Sequence, residues 1–230
     1  MNVLWIEDFG GNSSPMMATT LFSDLARDSA FDDHWHGKDP ASEPQDVEDF
    51  FKTHSALHQV TLIRHYGDYC KKKEAADILL GFDVVVIDIN LSKGATDIPP
   101  PSDLEISPDE FHRRAGFYIY YDLLRSGFPA DHMCFFTGEP ETCSQFKKFC
   151  DDNMIPRPKD FGKSEVTDGH DINAFRRWLK DHRQSSYMTL RRGVIEGCKL
   201  LREHLAKSPE DIQFNEFRPN DKYKSNDMDD

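Results

Sequence analysis

Short apolar runs, each ended by polar or turn-forming residues, alternate along this chain with longer stretches of helical periodicity. Continuously apolar runs of about four to eight residues are typical of strands that are buried on both faces of a parallel sheet. Prolines beside such a run favour the edge of a sheet, where a missing N–H costs no ladder hydrogen bond. Pro156 and Pro158 therefore place the weakest of the runs at an edge. The five predicted strands are 3–6, 60–63, 82–88, 133–136 and 157–161.

Helical patterns separate these runs. The spacing of apolar residues predicts helices at about 14–30, 68–80, 109–126, 141–152 and 171–182. Two polar, proline-containing segments, 31–50 and 92–108, are predicted to be surface inserts. The alternation of strands and helices predicts an α/β domain over residues 1–183, with a doubly wound, five-stranded parallel sheet covered on both faces.

A different pattern follows this domain. Apolar residues recur at steps of three and four, which predicts an extra C-terminal amphipathic helix at 184–207. This helix could pack on the domain, lead into a further module, or form a homodimer. Segment 208–230 is charged and poor in apolar residues, and we expect a flexible tail. The apolar stripe of the helix is formed by Tyr187, Leu190, Val194, Cys198, Leu201 and Leu205.

Composition narrows the possible classes of protein. The chain has 230 residues, of which 38% are hydrophobic, too many for a chain that is disordered throughout. No stretch approaches the roughly 18–20 apolar residues of a membrane span. Because 28 Lys and Arg face 41 Asp and Glu, the charge of −13 disfavours direct nucleic-acid binding by this segment. The five cysteines include no CxxC pair and the N-terminus lacks a secretory pattern, so we expect reduced thiols and a cytoplasmic location.

Polar residues follow the ends of the predicted strands. Glu7 and Asp8 follow the first strand, Asp88 ends the third, Thr137 follows the fourth and Lys163 follows the fifth. The carboxyl ends of parallel strands meet at one edge of a sheet, so these side chains should lie close together. Three adjacent carboxylates repel one another unless a cation neutralises them, and an all-oxygen set suits Mg²⁺. A carboxylate beside a hard cation, an ammonium and a hydroxyl is equipped to accept a phosphoryl group.

The motifs at these strand ends resemble, in their order, the receiver domain of two-component response regulators. They read ED after the first strand, DINLS at the third, FTG at the fourth and FGKS at the fifth. The likeness spans roughly residues 1–183 and implies a flavodoxin-like fold. It implies that Asp88 is the phosphoacceptor. It also implies that Mg²⁺ is held by Glu7, Asp8, Asp88 and the backbone carbonyl of Asn90.

The resemblance gives the remaining residues their expected roles. Thr137 would bond a phosphoryl oxygen, and Lys163 would pair with the phosphate. The protein would then act in a phosphorelay, with a histidine kinase or phosphotransfer protein as the partner that phosphorylates Asp88. On this hypothesis it is not an enzyme acting on a separate substrate, and its only turnover is its own phosphorylation and slow dephosphorylation.

Two features of the sequence depart from the family. Ser164 follows the lysine where the family usually has a proline, and Asp160 occupies the position of the family's switch aromatic, with Phe161 one residue later. These departures, with the long inserts, favour a second hypothesis: a pseudo-receiver that binds partners without a phosphate switch. A third is a Mg²⁺-dependent phosphohydrolase with Asp88 as nucleophile. Such enzymes usually carry a second aspartate two residues later, where this chain has Asn90.

Overall fold

The computed structural model describes residues 1–10, 17–25, 44–55, 58–75, 81–93, 99–101, 105–163, 172–183 and 187–205. The chain divides into two compact units, residues 1–183 and residues 184–230, which are described separately. Among the described residues, no helix has both the length and the apolar character required to cross a membrane. The predicted flexible tail at 208–230 lies outside the described residues.

The first unit is built on a five-stranded sheet in which every pair of neighbouring strands is parallel. The strand order is β2-β1-β3-β4-β5. Strand β1 therefore has β2 on one side and β3 on the other, and the direction in which the chain adds strands reverses there, which is where doubly wound sheets place their sites. This confirms the predicted α/β class and its parallel sheet. The strands are β1 Asn2–Ile6, β2 Gln59–Ile63, β3 Val84–Ile87, β4 Met133–Thr137 and β5 Lys159–Gly162.

Helices cover both faces of the sheet because successive strand side chains point to opposite faces. On one face, Trp5 contacts Phe22, which in turn contacts Phe175, with ring centroids 5.4 and 6.0 Å apart. On the other face, Phe135 packs edge-on against Phe146 at 5.7 Å. Within the described residues, the helices of this unit are α1 Met17–Leu21, α2 Pro44–His54, α3 Tyr66–Ala75, α4 Pro108–Arg113, α5 Ala115–Arg125, α6 Pro140–Asp152 and α7 Ile172–Arg183.

The prediction of an irregular insert at 31–50 is wrong for residues 44–50, which belong to α2. The charged composition of this segment hid a helical stripe, since Val47, Phe50 and Phe51 lie at i, i+3 and i+4 and are fully buried. Residues 31–43 lie outside the described residues. In the insert predicted at 92–108, the described residues before α4 are irregular.

Two predicted helices are interrupted. The helix predicted at 14–30 comprises, within the described residues, α1 and a short 3-10 turn at Ser23–Leu25. The helix predicted at 109–126 is broken at Arg114, which separates α4 from α5. At this break, the Leu91 N–H donates to the carbonyl of His112 at 2.9 Å. This hydrogen bond connects the loop that follows β3 to the last turn of α4.

The second unit contains α8, Tyr187–Leu205, where an amphipathic helix was predicted. Part of its apolar stripe is exposed: the exposed fraction is 68% for Leu190, 57% for Val194 and 39% for Leu201. Cys198 is also exposed. Tyr187 and Leu205 belong to the helix, but their side chains lie outside the described residues.

Candidate functional site at the carboxyl ends of the strands

The three predicted acidic residues lie together. Strand β1 pairs with β3 with Ile6 opposite Ile87, so the residues that follow these two strands are neighbours. One carboxylate oxygen from each of Glu7, Asp8 and Asp88 lies within 4.8 Å of the other two. All three residues are buried, with exposed fractions of 0%, 2% and 4%. The fold thus concentrates three carboxylates in a region with little access to water.

Lys163 provides a positive charge to this cluster. Its ammonium donates to Glu7 Oε1 at 2.9 Å and to Asp88 Oδ2 at 2.7 Å. Lys163 directly follows β5, and β4 lies between β5 and β3, so the long lysine side chain connects the edge of the sheet to its centre. The two buried carboxylates share one cation, which also links the ends of three strands.

The turn after β1 fixes the carboxylate of Asp8. Its Oδ1 accepts from the Gly10 N–H and its Oδ2 accepts from the Lys93 N–H, both at 2.7 Å. Phe9 has a φ of 57°, a left-handed conformation that non-glycine residues rarely adopt. A Cβ on Gly10 would lie 2.9 Å from Asp8 Oδ1. The turn therefore positions Asp8 by backbone geometry, and Lys93 is a contributor that the sequence analysis missed.

Helix α5 packs closely against the backbone of Asp88 and Ile89. A Cβ on Gly116 would lie 2.2 Å from the Asp88 carbonyl oxygen and 2.7 Å from the Ile89 Cα, so only glycine fits there. The Gly116 N–H donates to the Ile89 carbonyl at 3.0 Å, and the Ile89 N–H donates to Asp88 Oδ1 at 2.8 Å. The sequence analysis also missed Gly116. The available signal was an isolated glycine inside a helical pattern, which often marks a close packing contact.

Thr137 ends β4 and is 2% exposed. Its hydroxyl oxygen accepts from the Glu139 N–H at 3.0 Å. The Glu139 carboxylate accepts from the side-chain amide of Asn90 at 3.0 Å, and Asn90 Oδ1 accepts from the Ser92 hydroxyl at 2.7 Å. This chain of hydrogen bonds connects the loop after β3 to the loop after β4. That the Asn90 carbonyl is a metal ligand remains a prediction.

Burial and crowding shift the ionisation of this cluster. Burial, reinforced by repulsion from Asp88, raises the pKa of Glu7 to about 8, although Lys163 opposes the shift. Burial likewise raises the pKa of Asp88 to about 6 against the attraction of Lys163. Burial alone would lower the pKa of Lys163, but the Glu7 and Asp88 carboxylates outweigh it and the pKa is raised. Glu7 and Asp88 therefore both keep their protons to a higher pH than carboxyl groups in water do.

These residues fit a hard divalent cation. Glu7 Oε2 is buried and has no hydrogen-bond partner within the part of the chain that the structure describes. Leaving a buried carboxylate oxygen unsatisfied is costly, and a cation bound by oxygen atoms removes that cost. Glu7, Asp8 and Asp88 are the residues that would hold Mg²⁺. A second positive charge beside Lys163 would also allow these carboxylates to be ionised together.

Asp160 and Phe161 lie where the resemblance to receiver domains implies a switch aromatic. The Asp160 carboxylate pairs with the Lys147 ammonium on α6 at 2.8 Å. The next residue, Phe161, points to the other face and is 2% exposed. Its ring lies 5.2 Å from that of Phe175 on α7, so it belongs to the hydrophobic core. Ser164 lies outside the described residues.

Neither a comparison of the sequence with protein-family models nor one with curated proteins found a match. The arguments for function therefore rest on the parallel α/β fold, on the contacts of Lys163 with Glu7 and Asp88, and on the position of Thr137 at the end of β4.

Proposed function

We propose that this protein is a phosphoacceptor module of a phosphorelay and that Asp88 accepts the phosphoryl group. The observation that carries the proposal is the placement of the Asp88 carboxylate, which lies 2.7 Å from the Lys163 ammonium and within 4.8 Å of two further carboxylates. A carboxylate with a purely structural role on a protein surface does not require an ammonium and two further carboxylates beside it. A nucleophile that receives a phosphoryl group needs positive charge and oxygen ligands next to it.

The chain's own residues account for the steps of this reaction. An Asp88 carboxylate oxygen attacks phosphorus, and the phosphorus–nitrogen bond of a donor phosphohistidine breaks. The imidazole of the donor leaves with that electron pair. Lys163, already paired with Asp88, neutralises charge on the phosphoryl oxygens, and the Thr137 hydroxyl donates to one of them. Mg²⁺, when held by Glu7, Asp8 and Asp88, supplies further positive charge against the same oxygens.

A phosphoacceptor of this kind needs a phosphoryl donor. The donor is a histidine kinase or a phosphotransfer protein, and the reaction takes place in the cytoplasm. A hydrolase acting on external substrates is disfavoured because the residue two positions after Asp88 is Asn90, which has no carboxyl proton to exchange. Its side-chain amide is also engaged with Glu139.

A phosphorylation-independent interaction module is the second candidate function. The ion pair between Asp160 and Lys147 and the burial of Phe161 favour it, because no mobile aromatic occupies the switch position on β5. The two candidates differ in one respect that can be measured. A phosphoacceptor takes up phosphate at Asp88, whereas a pure interaction module does not.

The test is incubation with a small acyl-phosphate donor, with and without Mg²⁺, followed by intact-mass spectrometry. Wild type should gain one phosphoryl group only when Mg²⁺ is present, and Asp88→Asn should gain none because an amide cannot form an acyl phosphate. Asp160→Asn is the matched control, since it removes a half-buried strand aspartate outside the cluster and should be labelled like wild type. Wild type that stays unlabelled, or labelled Asp88→Asn, would contradict the proposal.

A further inference from the structure

A second cluster of potential metal ligands lies at the other end of the strands, where β4 begins. Asp131 and His132 belong to the short turn that precedes β4, and His182 lies in the last turn of α7. One potential ligand atom from each of the three lies within 4.8 Å of the others. His132 is 2% exposed, His182 is half-buried and Asp131 is exposed. The cluster thus has a buried side and an open side.

Backbone carbonyls orient both imidazoles. His132 Nδ1 lies 2.8 Å from the Asp83 carbonyl oxygen, and His182 Nδ1 lies 2.7 Å from that of Trp178. A carbonyl oxygen only accepts, so each Nδ1 carries the hydrogen and donates. In the neutral ring the lone pair is then on Nε2. Histidines that bind metals almost always donate their other N–H to a carbonyl or carboxylate in this way.

Neighbouring groups hold the cluster together. The imidazoles of His132 and His182 pack edge to face with ring centroids 4.4 Å apart. The Trp178 ring lies 4.8 Å from that of His182, and its indole N–H donates to the Asp131 carbonyl at 3.2 Å. Burial lowers the pKa of His132, which favours the neutral ring. These contacts fix two elements that are distant in sequence, the end of α7 and the turn before β4.

We propose that His132, His182 and Asp131 form a binding site for a transition-metal ion of the Zn²⁺ class. Two imidazole nitrogens and one carboxylate oxygen are a ligand set that Zn²⁺ uses, with water completing the shell. Mg²⁺ prefers oxygen ligands and is disfavoured by the same set. The bound ion ties the end of α7 to the turn before β4. The site differs in position and chemistry from the carboxylate cluster around Asp88.

Zn²⁺ titration by calorimetry of the 230-residue chain, first treated with a chelator, tests this site. Wild type should bind one ion here, and His182→Gln should bind it at least about 100-fold more weakly, since losing even an outer partner of a ligand costs about 10–100-fold. Asp131→Asn should weaken binding in the same direction, and because Asp131 is exposed it should fold like wild type. His65→Gln is the matched control, because His65 pairs with the Asp68 carboxylate at 3.1 Å and does not belong to the site. The affinity of this variant for Zn²⁺ should equal that of wild type.

A second measurement separates metal binding from folding and from phosphorylation. Zn²⁺ should raise the melting temperature of wild type, His65→Gln and Asp88→Asn but not that of His182→Gln or Asp131→Asn. Melting temperatures measured without metal show whether the variants are folded. The proposal is overturned if wild type binds no Zn²⁺, or if His182→Gln and Asp131→Asn bind it as tightly as wild type does. Retained binding by Asp88→Asn shows that this site does not depend on the proposed function.

Discussion

Glu7 and Asp88 are buried carboxylates that share one ammonium, that of Lys163. Desolvation and mutual repulsion make their ionisation costly, and the single lysine compensates for this only in part. A bound divalent cation would supply the positive charge that one lysine does not. This balance of charge should affect two measurable properties, the dependence of stability on pH and the affinity for Mg²⁺.

The first concerns stability against pH. The pKa of Glu7 rises from an ordinary 4.5 to about 8 and that of Asp88 from 3.8 to about 6. A carboxyl group whose pKa is raised on folding stabilises the fold fully below its unfolded pKa, and this contribution is lost as pH rises through its folded pKa. Without Mg²⁺, the melting temperature of wild type should therefore fall relative to that of Glu7→Gln between about pH 4.5 and about pH 8. Mg²⁺ should reduce that fall. Parallel melting curves for the two proteins would contradict the assignment.

The second concerns Asp8. Asp8→Asn removes one charge from a small oxygen cluster, and an amide cannot replace it, so Mg²⁺ affinity should fall by at least about 10-fold. Calorimetric titration measures this directly. Asp24→Asn, at an exposed position in the turn after α1, is the control and should bind Mg²⁺ like wild type. An Asp8→Asn protein with wild-type affinity would exclude Asp8 as a ligand.

At the scale of elements, the approach of α5 to the loop after β3 depends on one glycine. Gly116→Ala would place a methyl group 2.2 Å from the Asp88 carbonyl, and crowding in a packed region costs about 1–3 kcal/mol or more. Chemical denaturation should show this loss, and Mg²⁺ binding should weaken because the backbone of Asp88 moves. Gly197→Ala is the matched control, a helical glycine whose added Cβ would meet nothing within 4 Å apart from its chain neighbours and the backbone of its own helix. Equal stability of the two variants would contradict the close contact.

The sequence predicted the strands well because a strand that is buried on both faces must be apolar throughout, as Val84–Ile87 is. It predicted that the strand-end residues lie near one another, because the carboxyl ends of parallel strands lie side by side. It missed α2, in which two acidic residues separate the buried Val47 from Phe50 and Phe51. It also missed the Gly116 contact, which depends on how closely two backbones approach. The pairing of His132 with His182 depends on how α7 packs on the sheet, which no local pattern encodes.

At the scale of the whole molecule, the exposed apolar residues of α8 predict self-association. Leu201→Asp places a charge on the apolar stripe and should disrupt a dimer whether or not Asp88 is modified. Because Asp160 is paired with Lys147 and Phe161 is buried, a phosphoryl mimic such as beryllofluoride should change the sedimentation of wild type little. Glu203→Lys, which changes a charge away from the stripe, is the control. A monomer-to-dimer change driven by the mimic alone would show that the switch does operate.

The most direct test of the central claim identifies the residue that carries the phosphoryl group. Borohydride reduces an acyl phosphate on aspartate to the alcohol, which leaves homoserine at the modified position. Wild type treated with an acyl-phosphate donor and Mg²⁺, then reduced and digested, should contain homoserine at position 88, and the sample without Mg²⁺ should not. Homoserine at another aspartate, or at none, would contradict the assignment of Asp88 as the phosphoacceptor.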